Sequence, residues 1–172
     1  MFAGTPLGIL AGLVFTLLLA GAAVGDVRIR RIPNRLVAVI ALLGICYSVV
    51  VAPWLPGSLR SVEGLATGLA CWLPLYLFGW LGAGDVKLVA AAGAWLGPAR
   101  TLEGSLLAAG LGALLALIWM VRSSGFKHVA ETLGIATTLP SALTSAANPE
   151  RPVRSLPYGV AIAAGAILAA WF

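Results

Sequence analysis

Acidic side chains are scarce in this chain: its 172 residues include six Asp and Glu against eleven Lys and Arg, and charged residues of both signs make up 10%. A water-soluble surface is roughly a quarter charged. With 60% hydrophobic residues and a mean hydropathy of +1.01, the chain cannot build one and reads as an integral membrane protein. Cysteine and histidine are scarcer still. Cys46 and Cys71 lie inside apolar runs in no CxxC or similar spacing, and His128 is the sole histidine, so no zinc module is encoded and no metal site is expected. Both cysteines read as small buried hydrophobes. The net charge of +5 does not point to nucleic acid, because the basic residues are not spread over a polar domain. They mark membrane sidedness instead. The first apolar run lacks the basic stretch that opens a secretory signal and flows straight into an Arg-rich turn, so it is expected to be a retained span.

Hydropathy places spans at about 6–25, 36–51, 62–80, 86–96, 102–121 and 156–172. The fourth is short, about 20 Å of helix at 1.5 Å per residue, and charge decides whether it crosses. Six crossings with an external N-terminus put Arg28, Arg30, Arg31, Arg35, Lys87, Arg122, Lys127, Arg151 and Arg154 on one side, against Arg60 and Arg100 on the other. That asymmetry satisfies the positive-inside rule, and it nearly vanishes if the fourth segment fails to cross. The expected fold is therefore all-α: one polytopic bundle of six transmembrane helices over residues 1–172, both termini periplasmic, in contact with the lipid bilayer. Glycines four apart, Gly4/Gly8/Gly12, Gly21/Gly25 and Gly64/Gly68, offer flat faces for close helix packing. The six tryptophans lie mostly near span ends, as expected for interface anchoring. After Val121, Phe126, Val129, Ala130 and Leu133 fall on one face of a short helix expected to lie in the interface, followed by a mobile Pro/Ser/Ala-rich connection.

Two of the six acids stand at span edges: Asp26 at the end of the first and Asp85 at the start of the fourth, 59 positions apart in sequence and, in this topology, on one membrane face. An ionisable group at such a depth costs several kcal/mol and is rarely kept without a role. Asp85 follows Gly82-Ala83-Gly84, and glycines ahead of a helix permit a sharp bend and close approach to a substrate backbone. A phosphate-cradling loop would need a third glycine and a preceding strand. Asp26 is followed by Arg28, Pro33 and Asn34. Pro33 bars its predecessor from helical geometry, so the first span ends before it, and Asn34 is placed to cap the second. As a purely structural feature, Asp26 would pair with Arg28 or Arg30 among the lipid headgroups.

The run Asp26-Val-Arg28-Ile-Arg-Arg-Ile-Pro33-Asn34, followed by Gly82-Ala-Gly84-Asp85-Val-Lys87, resembles the type IV prepilin peptidase family, membrane aspartyl proteases of the GxGD class. The resemblance extends over essentially the whole chain, and Pro157-Tyr158-Gly159 is similar to a Pro-aromatic-Gly element near the family's last span. It implies a bacterial inner-membrane aspartic endopeptidase that removes the basic leader of prepilins at the cytoplasmic face, with Asp26 and Asp85 catalytic and no cofactor. Gly82, Gly84, Lys87, Arg28, Pro33 and Asn34 are then expected to bind substrate or shape the site. Larger members carry a cytoplasmic insertion with paired CxxC motifs and also methylate the new pilin N-terminus. This chain has neither, so methyl transfer is not expected, and its size resembles the stand-alone peptidases of Flp-type, tight-adherence pilus systems.

Two carboxylates beside one water cannot both ionise cheaply, so the pair is expected to titrate in coupled steps and to share a proton. Helix polarity assigns the anion to Asp85, at a helix N-terminus, and the proton to Asp26, at a helix C-terminus. Three rivals frame this reading. A signal-peptide-peptidase-like protease would need more spans and a Tyr where Gly25 stands. A small proton-coupled transporter would hold its acids near the midplane, usually with broken helices or repeats. The third is a non-enzymatic pilus-assembly protein.

Overall fold

The computed structural model describes residue 2 and residues 5–29, 32–52, 54–79, 81–135 and 158–172. They form six α-helices: α1 (Pro6–Ile29), α2 (Asn34–Val51), α3 (Trp54–Leu77), α4 (Ala83–Leu96), α5 (Pro98–Ile135) and α6 (Tyr158–Trp171). No strand occurs among the described residues. Three stretches, Pro6–Arg28, Asn34–Val51 and Pro98–Ile118, are long and apolar enough to cross a membrane. The large apolar side chains left outside the core, such as Leu17 at 71% and Val50 at 70% exposure, suit a hydrocarbon solvent. This is a multi-pass membrane protein.

Two compact units divide the chain, Met1–Gly112 with Pro157–Phe172 and Ala113–Leu156. In the first, α4 is the central element. Every residue from Leu88 to Leu96 is buried, with α2, α3 and α6 packed around the helix. That enclosure suits its length, since backbone at membrane depth is tolerated where protein covers it. Its contact with α3 is made by glycines: a Cβ on Gly64 would run into the Gly93 carbonyl, and one on Gly68 would come within 2.9 Å of Ala90 Cα. The Gly64/Gly68 face therefore packs as expected. Gly8 and Gly12 instead face Phe2, and Gly21 and Gly25 have nothing within 4 Å, because α1 touches α2 little.

At the far end of α4 an aromatic cluster closes the bundle. Trp95 lies 5.3 Å from Phe15 and 5.6 Å from Tyr47 by ring centroids, and Phe2 reaches Trp171 at 6.3 Å. Trp95 and Trp72 are buried, and Trp95 Nε1 donates to the Ile40 carbonyl at 2.7 Å, so neither acts as an interface anchor. An indole with a satisfied N–H is a large apolar body, and here the core claims it. Cys71 is half-buried, whereas Cys46 is exposed on the outer side of α2, so the expectation of a buried thiol fails there.

Several helix ends differ from the hydropathy reading. Helix α3 starts at Trp54, ahead of the apolar run, because Pro56 falls in the first turn where no N–H bond is lost. Helix α5 does not stop at Val121 but continues to Ile135, so the 126–133 segment is no separate interfacial helix. Ser123, Ser124 and Gly125 cost a helix only about 1 kcal/mol at the glycine, too little to end it without a proline. The Pro/Ser/Ala-rich connection expected over 139–157 lies outside the described residues.

Candidate active site

Helix α1 runs three residues past Asp26, so that acid sits in the last helical turn, half-buried. Asp85 stands in the first turn of α4, ahead of the apolar run 86–96. The structure brings the two acids into electrostatic contact. Burial first, and the charge of Asp26 second, raise the Asp85 carboxyl from its ordinary 3.8 to about 6, against the opposing pull of the Gly82 N–H.

Each carboxylate is held by a backbone donor at a helix start. Gly82 N–H donates to Asp85 Oδ2 at 3.3 Å while Asp85 N–H donates to the Gly82 carbonyl at 3.1 Å, so the N-cap and the third helical residue bind each other reciprocally. Asp26 Oδ2 accepts the N–H of Gly159, the second residue of α6, at 2.9 Å. Among the described residues Arg28 is not its hydrogen-bond partner; Arg28 is exposed. Asp26 thus lies at the end of one helix and at the start of another, and the polarity argument that gave it the proton used only the first.

The two sequence motifs dock on each other. Lys87 Nζ donates to Asn34 Oδ1 at 3.3 Å, and a Cβ on Gly84 would meet Ile32 at 3.5 Å. Asn34 is therefore not the cap of α2. Pro33, extended at φ −62° and ψ 127°, occupies that position and its carbonyl accepts from Leu36 and Val37, leaving the Asn34 side chain for Lys87. The glycines also act differently from expectation. Gly82 is extended at φ −78° and Gly84 is helical, so neither uses a backbone region closed to other residues. The sharp turn between α3 and α4 is made at Gly79, with φ +74°, just after the helix ends.

Gly159 and Gly79 were not singled out as site residues by sequence reasoning. For Gly159 the signal was the Pro157-Tyr158-Gly159 run; for Gly79 nothing in Phe78-Gly79-Trp80 separates it from the neighbouring glycines. No group of three or more Cys, His, Asp or Glu residues that could hold a metal ion comes together among the described residues.

Chemically, two interacting carboxylates, one of them raised to about 6, can take a proton from a water and give one to a developing oxyanion. Comparison with known proteins bears on that chemistry. Neither the curated proteins nor the solved structures give a match. Residues 13–117, more than half of the chain and including both acids, match the family model described as the type IV leader peptidase family. On that match, the chain belongs to the type IV leader peptidase family.

Proposed function

We propose that this chain is an aspartyl endopeptidase that cleaves the basic leader from type IV, Flp-type prepilins at the cytoplasmic face of the bacterial inner membrane. The observation that carries the reading is the coupling of Asp26 and Asp85, raised on separate helices and joined at one end of the bundle. In this reading Asp85 carries the proton, because burial and the neighbouring charge favour its neutral form, and Asp26 is the base. This reverses the assignment from helix polarity alone. Asp26 takes a proton from water as the water oxygen bonds to the scissile carbonyl carbon, and Asp85 donates to the developing oxyanion. Collapse of the tetrahedral intermediate breaks the C–N bond, and the leaving amine takes a proton from the pair.

Six spans with both termini periplasmic would put both acids at the cytoplasmic boundary, where a basic leader in water meets an apolar helix in lipid. That is where the scissile bond of a prepilin lies. A transporter would need its acids near the midplane instead. The test is cleavage of a prepilin by the purified chain in proteoliposomes. Asp26→Asn and Asp85→Asn should each lower the rate by about a thousandfold or more while leaving the fold intact. Normal cleavage by either variant contradicts the aspartyl mechanism.

A further inference from the structure

Residue 159 offers no room for a side chain. A Cβ there would lie 2.7 Å from Asp26 Oδ2 and 3.0 Å from its Cγ, and the glycine is buried. The same residue donates its N–H to that oxygen at 2.9 Å. The first N–H groups of a helix have no partner within it, so the second residue of α6 is free to bond an acceptor from elsewhere. Only a glycine lets the carboxylate come close enough to use it. The first turn of α6 is itself fixed from the other side: a Cβ on Gly112 of α5 would meet the Tyr158 ring at 2.9 Å. Gly112 admits the ring, the ring seats the turn, and the turn aims the N–H. Both Tyr158 and Gly159 lie beyond the residues 13–117 that match the family.

We propose that Gly159 is a positioning residue of the hydrolytic site: its N–H fixes Asp26 Oδ2, so that the carboxylate meets the water and Asp85 in one orientation. The proposal rests on the hydrolytic reading above. A plain packing role would also exclude a side chain at 159 and would also relax when the Asp26 carboxylate is removed, but it would leave turnover of the folded protein unaltered.

A double-mutant cycle tests the contact with Asp26, and cleavage kinetics separate the two roles. Thermal midpoints in detergent are measured for the unaltered chain, Gly159→Ala, Asp26→Ala and the double variant, with prepilin cleavage kinetics for Gly159→Ala. Gly165→Ala serves as the packing control, since its Cβ would meet Ala108 N at 2.6 Å, away from the acids. Alanine is the better helix former, so any drop in midpoint reports collision. The drop caused by Gly159→Ala should shrink by about half or more once Asp26→Ala has removed the carboxylate, while the Gly165→Ala drop stays the same in both backgrounds. Turnover by Gly159→Ala should fall about tenfold or more with KM within about twofold. Equal drops in both backgrounds, or unaltered turnover in a folded Gly159→Ala protein, overturn the proposal. If Gly159→Ala alone does not fold, folding of the double variant supports it and failure of both overturns it. Absence of cleavage by the unaltered chain would overturn the hydrolytic reading instead, and the midpoints would still show whether Gly159 holds Asp26.

Discussion

At one end of the bundle α4 and α6 present their first turns to carboxylates; at the other, the same two helices present their last carbonyls to guanidinium groups. Gly82 and Gly159 donate to Asp85 and Asp26. Opposite them, Arg60 Nη2 donates to the Leu96 carbonyl at 3.2 Å and Arg100 Nη1 to the Ala169 carbonyl at 2.6 Å. Both arrangements satisfy backbone groups that a helix end leaves open and both follow the helix dipole. The charges differ in what they have left to do. At the arginine end the remaining carbonyl demand is also met locally: Ser48 and Ser61 hydroxyls both donate to Ala94 O. At the acid end two carboxyl groups interact, which no purely structural cap requires. The first end closes a bundle, and the second holds two acids that interact electrostatically.

That contrast can be tested from the packing between the ends outward. Gly64→Leu should have the largest effect on folding, since its side chain would have to pass through the Gly93 backbone. A loss of several kcal/mol is expected, in the range of overpacked cores and beyond, read as little or no folded protein in a detergent melt. Arg100→Met should cost about 1–3 kcal/mol by leaving the Ala169 carbonyl unpaired, lowering the melting midpoint without changing turnover of the protein that stays folded. If turnover falls instead, the arginine end is not merely structural. Gly79→Ala should cost about 1–2 kcal/mol for its left-handed backbone, and Gly84→Ala less than about 1 kcal/mol, because its Cβ meets Ile32 at ordinary contact distance. A larger loss at 84 than at 79 would return the turn to the GAGD motif.

The pH profile sharpens the acid end. Asp85 is raised toward 6, so it loses its proton as pH rises through that value, and in the assigned mechanism that proton is donated. The alkaline limb of kcat/KM should therefore lie near pH 6, and a profile flat from 5 to 8 would mean that the Asp85 proton is not used.

Much of this was legible in the sequence because a membrane imposes simple rules. Apolar runs mark helices, and Pro33 stops α1 wherever else its residues would lead. The two acids stood out because charge is rare among apolar residues. The misreadings came from partners that only the fold supplies. Nothing near Asp26 in sequence announces Gly159, 133 positions away, and Asn34 looked like a cap until Lys87 claimed its side chain. Trp95 looked like an interface anchor because it ends an apolar run, yet the other helices close over that end of α4. Hydropathy locates helices along the chain but carries no information on which face meets which neighbour.

The central claim is that Asp26 and Asp85 form one electrostatic unit. Carbon-13 labelling of aspartate, with the carboxyl resonances followed against pH in micelles, gives the Asp85 midpoint directly in the unaltered chain and in Asp26→Asn. The account predicts a midpoint near 6 that moves down, toward 3.8, when the Asp26 charge is removed, the part due to burial remaining. An Asp85 midpoint that is the same in both proteins would contradict it.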